Sequence, residues 1–337
     1  MTSIRPRPAT ITDIAKRAGV STATVSYVLN DAPGSRIPES TRTRVRSIAD
    51  ELGYVPHASA RSLRKGSSDL VLYVQMDVVH GPLAAEFHHQ LTLRLRDMGY
   101  TLLQYGGERH RGVKAARTWA AMRPSAVIVE HERLTPAGIE LLRKSDIQVI
   151  ATGVAAEAVK GDGVSTLNMD DLGVGHRAGE HLVGRGYRDL AAVVPRGNVL
   201  RRIGTLRLQG LQEAAARAGV GATVRSLDMD WSPESAAEVV RTWLDEGLPE
   251  AVFGYNDEFS GLLLGALQDA GVRVPEQTAL VGADDVMLCR MLRPRLTSVR
   301  LEPASIEATA GEIIRAVTER TEVHLSPWTP VLVRRDT

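Results

Sequence analysis

The sequence predicts an all-α helix-turn-helix head joined to an α/β core of two doubly wound parallel-sheet lobes. Three observations carry that expectation. Residues 8–56 hold three short helical apolar stripes, the first two separated by a tight Gly19-Val20 corner. Behind them, short apolar runs alternate with amphipathic helical patterns, which is how parallel sheets covered on both faces are built. Charge divides along the same line: residues 1–66 carry eleven Lys and Arg against five Asp and Glu, a net of +6, leaving −5 for the remainder of a +1 chain. A basic head on an acidic body means that only the head suits a polyanion; a solvated charged face is the competing explanation.

In the head, Thr12 is the expected N-cap of a first helix that buries Ile11, Ile14, Ala15 and Ala18. Gly19 stops it, because Gly tolerates the left-handed conformation of a helix end. Ser21 caps a second helix with Val25, Val28 and Leu29 inward, and Asn30 to Gly34 reads as a loop. A third helix runs from Pro38-Glu39 to Leu52, with Val45, Ile48, Ala49 and Leu52 inward, and Gly53 ends it. In a helix-turn-helix the start of the second helix enters the major groove. Its outward residues are Thr22, Ala23, Ser26 and Tyr27. Ala23 and the Thr22 methyl suit thymine methyls, and Tyr27 can donate to a base or a phosphate. Thr12, Ser21, Asn30 and the third-helix arginines are better placed for phosphates, which set register without reading sequence. Taken alone, such a pattern also fits an ordinary helical bundle.

The next segment separates these possibilities. Pro56 can open a new helix, and His57-Ala-Ser-Ala60-Arg61-Ser-Leu63-Arg64 is a short, basic, small-residue stretch. It is too short to be stable alone in water, and Leu63 has no evident core to join. Folding only on DNA, with His57, Ala60 and Arg61 as further DNA-binding residues and Leu63 as a minor-groove wedge, accounts for it; a plain interdomain linker is the alternative. The expected domains are 8–56 for DNA binding, 57–66 for the hinge and 67–337 for the core.

PATITDIAKRAGVSTATVSYVLN (8–30) and TRTRVRSIADELGYVPHASARSLRKGSS (41–68) resemble the lactose-repressor family of bacterial transcription regulators. The resemblance implies Thr22 and Ala23 as base readers, Leu63 as the minor-groove lever and a core of periplasmic-binding-protein type. Tyr27 stands where that family often has Arg, and His57 where it often has Asn.

In the body, strands are expected at 70–75, 101–105, 126–130, 148–152, 190–195, 251–255, 279–282 and 297–300. Helices are expected at 83–98, 136–144, 173–185, 206–218, 233–246 and 257–270. Ligands of such sheets bind at the carboxyl ends of the strands, so a ligand between two lobes is expected. The resemblance continues through 181–195, 216–236, 255–285 and 293–300. It implies a ligand set of Arg207, from an Arg-x-x-Gly-aromatic motif in which Leu211 replaces the aromatic, Asn256, and Asp284. Ala283 replaces the aromatic usual before Asp284, and Trp231 falls where a ring can face the ligand. The chemistry agrees: Arg207 offers a planar fork of donors, Asn256 a donor and an acceptor, Asp284 acceptors. Together they suit the hydroxyls of a sugar or the edge of a nucleobase. Helix capping is the plain alternative for Asn256 and Asp284, and packing for Trp231. Asp77, His80 and Phe87 follow the first strand and can reach the cleft. Thr152 stands where many relatives have an acid, which argues against copying a known sugar specificity.

Other signals fail. Gly173, Gly175 and Gly179 nearly spell a dinucleotide fingerprint, but the spacing is one residue too long; packing glycines at a helix start fit better. No phosphate-binding Gly-Lys loop, nucleophile elbow or metal-ligand spacing around His88, His89 and His131 is present. The single Cys289 excludes a disulfide framework within one chain. No run approaches the ~18 apolar residues of a membrane span, and no apolar stretch follows the basic N-terminus. A cytoplasmic, nucleoid-associated regulator without cofactor is expected. Its partners are a palindromic DNA operator, a second copy of itself and a small effector, carbohydrate first. A nucleoside-responsive regulator and a solute-binding protein are the alternatives, and an enzyme lacks a visible catalytic constellation. Pro327 and Pro330 forbid a long C-terminal helix, so a tetramer built on an added coiled coil is not expected.

Overall fold

The computed structural model describes residues 7, 9–30, 36–55, 68–75, 81–106, 110–153, 163–326 and 328–337. The chain divides into two compact units, Met1–Ser68 and Asp69–Thr337.

The first unit contains α1 (Ile11–Ala18), α2 (Thr22–Leu29) and α3 (Glu39–Glu51). Thr10, not Thr12, caps α1. The Thr10 hydroxyl accepts from the Asp13 N–H while the Asp13 carboxylate takes the Thr10 N–H at 2.9 Å. This reciprocal pair satisfies two end groups at once, which a cap at Thr12 does not, and it leaves Thr12 exposed in the first turn. The bonds from Thr10 hold the Asp13 carboxyl below its ordinary range. Gly19 ends α1 with φ 67°, and its N–H returns to the Ala15 carbonyl. Ser21 caps α2 by accepting from the Thr24 N–H at 3.1 Å. Ile14, Ala15, Ala18, Val25, Val28, Val45, Ile48 and Ala49 close the core of this small unit.

The second unit begins with β1 (Leu70–Val74), α4 (Pro82–Asp97), β2 (Thr101–Tyr105), α5 (Gly112–Ala121), β3 (Ala126–Glu130), α6 (Pro136–Lys144), β4 (Gln148–Thr152) and β5 (Ser165–Leu167). There follow α7 (Asp171–Gly184), β6 (Asp189–Pro195), α8 (Asn198–Arg217), β7 (Thr223–Met229), α9 (Pro233–Glu246), β8 (Ala251–Gly254), α10 (Asp257–Asp269) and β9 (Ala279–Ala283). The chain closes with α11 (Leu288–Met291), β10 (Thr297–Pro303), α12 (Ile306–Glu319), β11 (His324–Leu325) and β12 (Trp328–Val333). Two six-stranded sheets result, in the orders β11-β5-β4-β3-β1-β2 and β12-β10-β9-β8-β6-β7. All pairings are parallel except that of β10 with β12. Inner strands such as β3 are buried along their whole length, as near-continuous apolar runs covered by helices on both faces require.

The connectivity makes two lobes. The chain passes from the first sheet to the second after β5, returns after β10 through α12, and crosses again between β11 and β12. All eight expected strands are present; β5, β7, β11, β12, α5, α11 and α12 were not foreseen. β7, Thr-Val-Arg-Ser-Leu-Asp-Met, lies at a sheet edge and buries only Met229, so it carries no apolar run. α5 buries Gly112, Ala115, Ala116 and Trp119, a face of mostly small residues. α8 starts at Asn198 rather than 206, its first turns being rich in Arg. Pro330 lies in the edge strand β12, opposite Leu301, where a missing N–H is tolerated.

α7 and α8 approach backbone to backbone. A Cβ on Gly175 would lie 1.9 Å from the Arg207 carbonyl oxygen, and one on Gly210 2.1 Å from that of Leu172. Gly175 and Gly179, which sits against Leu211 and Ala214, are therefore helix-packing residues. No helix among the described residues is long and apolar enough to cross a membrane.

Candidate functional site

On α2, Thr22 and Ala23 are exposed, Ser26 is half-buried and Tyr27 keeps 53% of its surface. These four form the free face of a helix whose Val25 and Val28 are in the core. Ser21 and Asn30 are occupied as caps: the Asn30 Nδ2 donates to the Ser26 carbonyl at 2.6 Å, and the Ser21 hydroxyl lies 2.9 Å from that of Thr24. Lys16 and Arg17 on α1 and Arg44 and Arg46 on α3 are also exposed, and Arg17 pairs with Glu51 at 3.0 Å. The four hinge candidates His57, Ala60, Arg61 and Leu63 lie outside the described residues, as do Asp77 and His80.

In the second lobe, three of the expected ligand residues converge. Arg207 projects from α8, Asn256 caps α10, and Asp284 follows β9. Arg207 is only 4% exposed. Its Nη2 donates to Asp284 Oδ1 at 3.2 Å and its Nη1 to the Tyr255 carbonyl at 2.8 Å. The guanidinium carbon stands 5.1 Å from the Tyr255 ring centroid. The third partner was not foreseen: Arg207 Nε donates to Asp171 Oδ1 at 2.9 Å, and Asp171 is itself buried. Opposed to burial, the two carboxylates hold the guanidinium above its ordinary pKa. Burial pushes the Asp171 carboxyl up, against the pull of Arg207.

The turn that presents Asp284 is left-handed at two non-glycine residues, φ 96° at Asp284 and 52° at Asp285. Such strain persists only where surroundings fix it. The Asp284 N–H donates to the Val299 carbonyl, the Asp285 N–H to the Ser298 hydroxyl and the Val286 N–H to Asp257 Oδ2, at 2.8, 3.1 and 2.8 Å. Ser298 in turn donates to Asp257 Oδ1 at 2.6 Å. The Asp257 carboxyl is pushed up to about 7 by burial, with Asp284 adding to the rise. The Asn256 Oδ1 accepts from the Phe259 N–H at 3.0 Å, so its cap leaves the amide N–H donors and one oxygen lone pair for a ligand. Trp231 is 62% exposed before α9, a ring that packs into no core. Phe87 is different: its ring meets Trp328 at 4.8 Å and packs, partly buried, on the main core.

A second ion-paired arginine spans the lobes. Arg202 of α8 reaches Glu130 Oε1 at the end of β3 at 3.4 Å and Glu132 Oε1 at 3.1 Å. Glu130 is 6% exposed, and its carboxyl is raised by burial and by Glu132, against Arg202. Glu132 Oε2 is buried without a hydrogen-bond partner among the described residues. Nothing in the spacing of residues 130, 132 and 202 announces this contact; it exists only because the lobes face one another.

Comparison with known proteins joins the two units. A family described as "Bacterial regulatory proteins, lacI family" matches residues 10–57, and a periplasmic binding protein-like domain matches residues 179–337. The HTH-type transcriptional repressor PurR of Erwinia tasmaniensis is 30% identical over 338 residues, covering 97% of this chain and 96% of the relative. The chain belongs to the lacI family of bacterial regulatory proteins. The HTH-type transcriptional regulator GalR of Escherichia coli strain K12 is 29% identical over 332 residues, with 97% and 95% covered. Among solved structures, the lac repressor dimer bound to operator and the anti-inducer ONPF shares the fold with a TM-score of 0.80 at 23% identity, covering 98% of this chain and 99% of that one. A CelR–cellobiose complex matches with a TM-score of 0.65 at 25% identity, over 98% and 99%.

This lacI-family protein is thus a DNA-binding transcription regulator and not an enzyme. Two of its departures from the family motifs, Leu211 and Ala283 in place of aromatics, are fully buried, whereas Tyr27 stands exposed. Asp171 escaped sequence reading because the tandem Asp170-Asp171 looks like a cap. Asp170 is the cap, accepting from the Gly173 N–H at 2.8 Å, and Asp171 turns inward.

Proposed function

We propose that the protein is a repressor that binds a two-fold symmetric operator as a homodimer, in the cytoplasm at the nucleoid. In this proposal residues 8–56 bind DNA, 57–66 form the hinge and 67–337 hold effector and partner. Thr22, Ala23, Ser26 and Tyr27 read bases, while Thr12, Ser21 and Asn30 meet phosphates. His57, Ala60, Arg61 and Leu63 act in the hinge. One short recognition helix buries little, and two copies match a palindrome. An effector between the lobes changes how the two hinges are presented, a coupling of about 1–3 kcal/mol.

The observation that carries the effector half is the Arg207–Asp284 pair beside Asn256. A guanidinium and a carboxylate with unused lone pairs suit vicinal hydroxyls, and exposed Trp231 offers a flat apolar face. Asp77 and His80 are the candidates from the first lobe. A carbohydrate is favoured, in keeping with the cellobiose complex of CelR. Two measurements test this. Binding-site selection from random DNA should recover a palindromic sequence that the protein shifts in a gel; recovery of no preferred sequence in any ligand state refutes the repressor reading. A thermal-shift panel of neutral sugars and nucleosides should give a hit, since a ligand at ~100 times its Kd adds about 2.7 kcal/mol. Asp284→Ala should abolish that shift; an unchanged shift removes Asp284 from the site, and a nucleoside hit replaces the carbohydrate.

A further inference from the structure

Every nitrogen of the Arg207 guanidinium is already engaged: Nε with Asp171, Nη1 with the Tyr255 carbonyl, Nη2 with Asp284. Of the five N–H donors of a guanidinium, these bonds leave one on each Nη. The two carboxylates around it are unequal. The Asp284 side chain keeps 17% of its surface, while those of Asp171 and Arg207 keep 9% and 5%. Asp284 can therefore exchange Arg207 for a ligand, whereas Asp171 is fixed. It lies in the first turn of α7, the helix that Gly175 and Gly210 lock against α8 at backbone distance.

From this geometry we infer that Asp171 is a specificity-determining residue: it neutralises Arg207 from behind, so that the cleft rejects anionic ligands and retains uncharged hydrogen-bonding ones. The inference rests on the proposal that the surroundings of Arg207 are the effector site. A free arginine at the mouth of such a cleft binds phosphate or carboxylate through a two-pronged fork. Here the fork's positive charge is matched before any ligand arrives, and with Asp284 the group carries a net −1. A phosphate must displace Asp284 and still face the carboxylate of Asp171 across the same guanidinium. A hydroxyl pair meets no such opposition: it accepts the two remaining N–H donors and donates to Asp284. The selectivity thus lies in a residue that touches no ligand and acts through Arg207.

The test uses inorganic phosphate as the probe and the full chain, titrated by calorimetry at constant ionic strength. The expected result is that Asp171→Asn, which keeps an acceptor for Nε and removes the charge, tightens phosphate binding by at least about tenfold over the wild type. The doubly substituted D171N/D284N should bind it more tightly still, and adding Arg207→Gln should erase the gain. Equal phosphate affinity in wild type and D171N, or a gain that survives Arg207→Gln, overturns the inference. Should D171N fail to fold, as its melting curve will tell, Asp284→Asn decides on the same criterion: a tenfold gain supports charge matching, and none refutes it. The sugar and nucleoside panel on the wild type is read separately. Failure of that panel strikes the effector proposal, while the phosphate series still reports on Asp171.

Discussion

Arg207 and Arg202 lie five positions apart in α8, and each is shared by two carboxylates. Their situations differ in burial and in what they join. Arg207 is enclosed within one lobe, with Asp171, Asp284 and the Tyr255 carbonyl as partners. Arg202 keeps 34% of its side-chain surface and joins its lobe to Glu130 and Glu132 of the other. The same chemistry therefore serves rigid preorganisation in one case and a breakable link in the other. A buried pair is costly to break because the remaining charge is stranded. A partly solvated pair is weak, and water can replace it.

The largest effect follows at Arg207. Arg207→Ala strands Asp171 and should lower the unfolding free energy by about 3–5 kcal/mol, the range for removing one partner of a buried pair. Urea unfolding at neutral pH measures it. A loss below about 1 kcal/mol would mean that Asp171 is neutral or hydrated, and the contrast with Arg202 would collapse.

Asp257, which holds the turn carrying Asp284, gives the pH dependence. Burial raises its carboxyl from 3.8 to about 7, so the folded state favours the protonated form. Its contribution to stability is complete below pH ~4, declines as pH rises and is gone above ~7. At 1.36 kcal/mol per unit this is at most about 4 kcal/mol. Unfolding free energies measured from pH 4 to 8 should show this fall, and Asp257→Asn, which cannot titrate, should flatten it. An equally steep profile in the variant assigns the fall to other groups.

How much of this was legible in the sequence depends on the range of the interaction. Local signals were readable. Gly19, Ser21 and Gly53 mark their helix ends through backbone chemistry, whereas the grouping of Arg207, Asn256 and Asp284 was implied by the family resemblance and not by anything local. Thr12 was misread by two positions, because Thr10 and Thr12 are equally good caps until Asp13 chooses between them. Asp171 and the Glu130–Arg202 link were invisible. Their partners are 36 and 72 residues away, and nothing local distinguishes an acid that turns inward from one that caps a helix. The edge strand β7 was missed for the complementary reason: with little of it buried, it shows no apolar run.

The glycines that hold α7 against α8 make a smaller, sharper test. Gly175→Ala puts a methyl where only 1.9 Å separates it from the Arg207 carbonyl oxygen, and a backbone atom cannot swing aside as a side chain does. Overpacking of this kind costs about 1–3 kcal/mol. Gly184→Ala, on the same helix but with nothing within 4 Å, should be neutral or slightly stabilising through helix propensity alone. Chemical unfolding of both variants compares them directly; equal stability would show that the helices can separate without cost and that Asp171 is not fixed by their contact.

The smallest effect on stability belongs to Arg202, and it is the one that tells most about function. Arg202→Gln removes the charge of an arginine that is one-third exposed while leaving an amide donor for buried Glu130, so unfolding should change by about 1 kcal/mol, less than at Arg207. The distance between lobes should nonetheless respond, because this pair joins β3 of one lobe to α8 of the other and a lobe equilibrium is shifted by small differential energies. Small-angle scattering of the full chain should give a larger radius of gyration for Arg202→Gln than for the wild type. The wild type should move toward the variant as salt rises, since screening weakens the same pair. Exchanging the charges, Arg202→Glu with Glu132→Arg, should restore the compact value if the pair acts as a link. If the radius is unchanged in Arg202→Gln, this pair does not hold the lobes together, and other contacts or the chain crossovers between the sheets set their spacing.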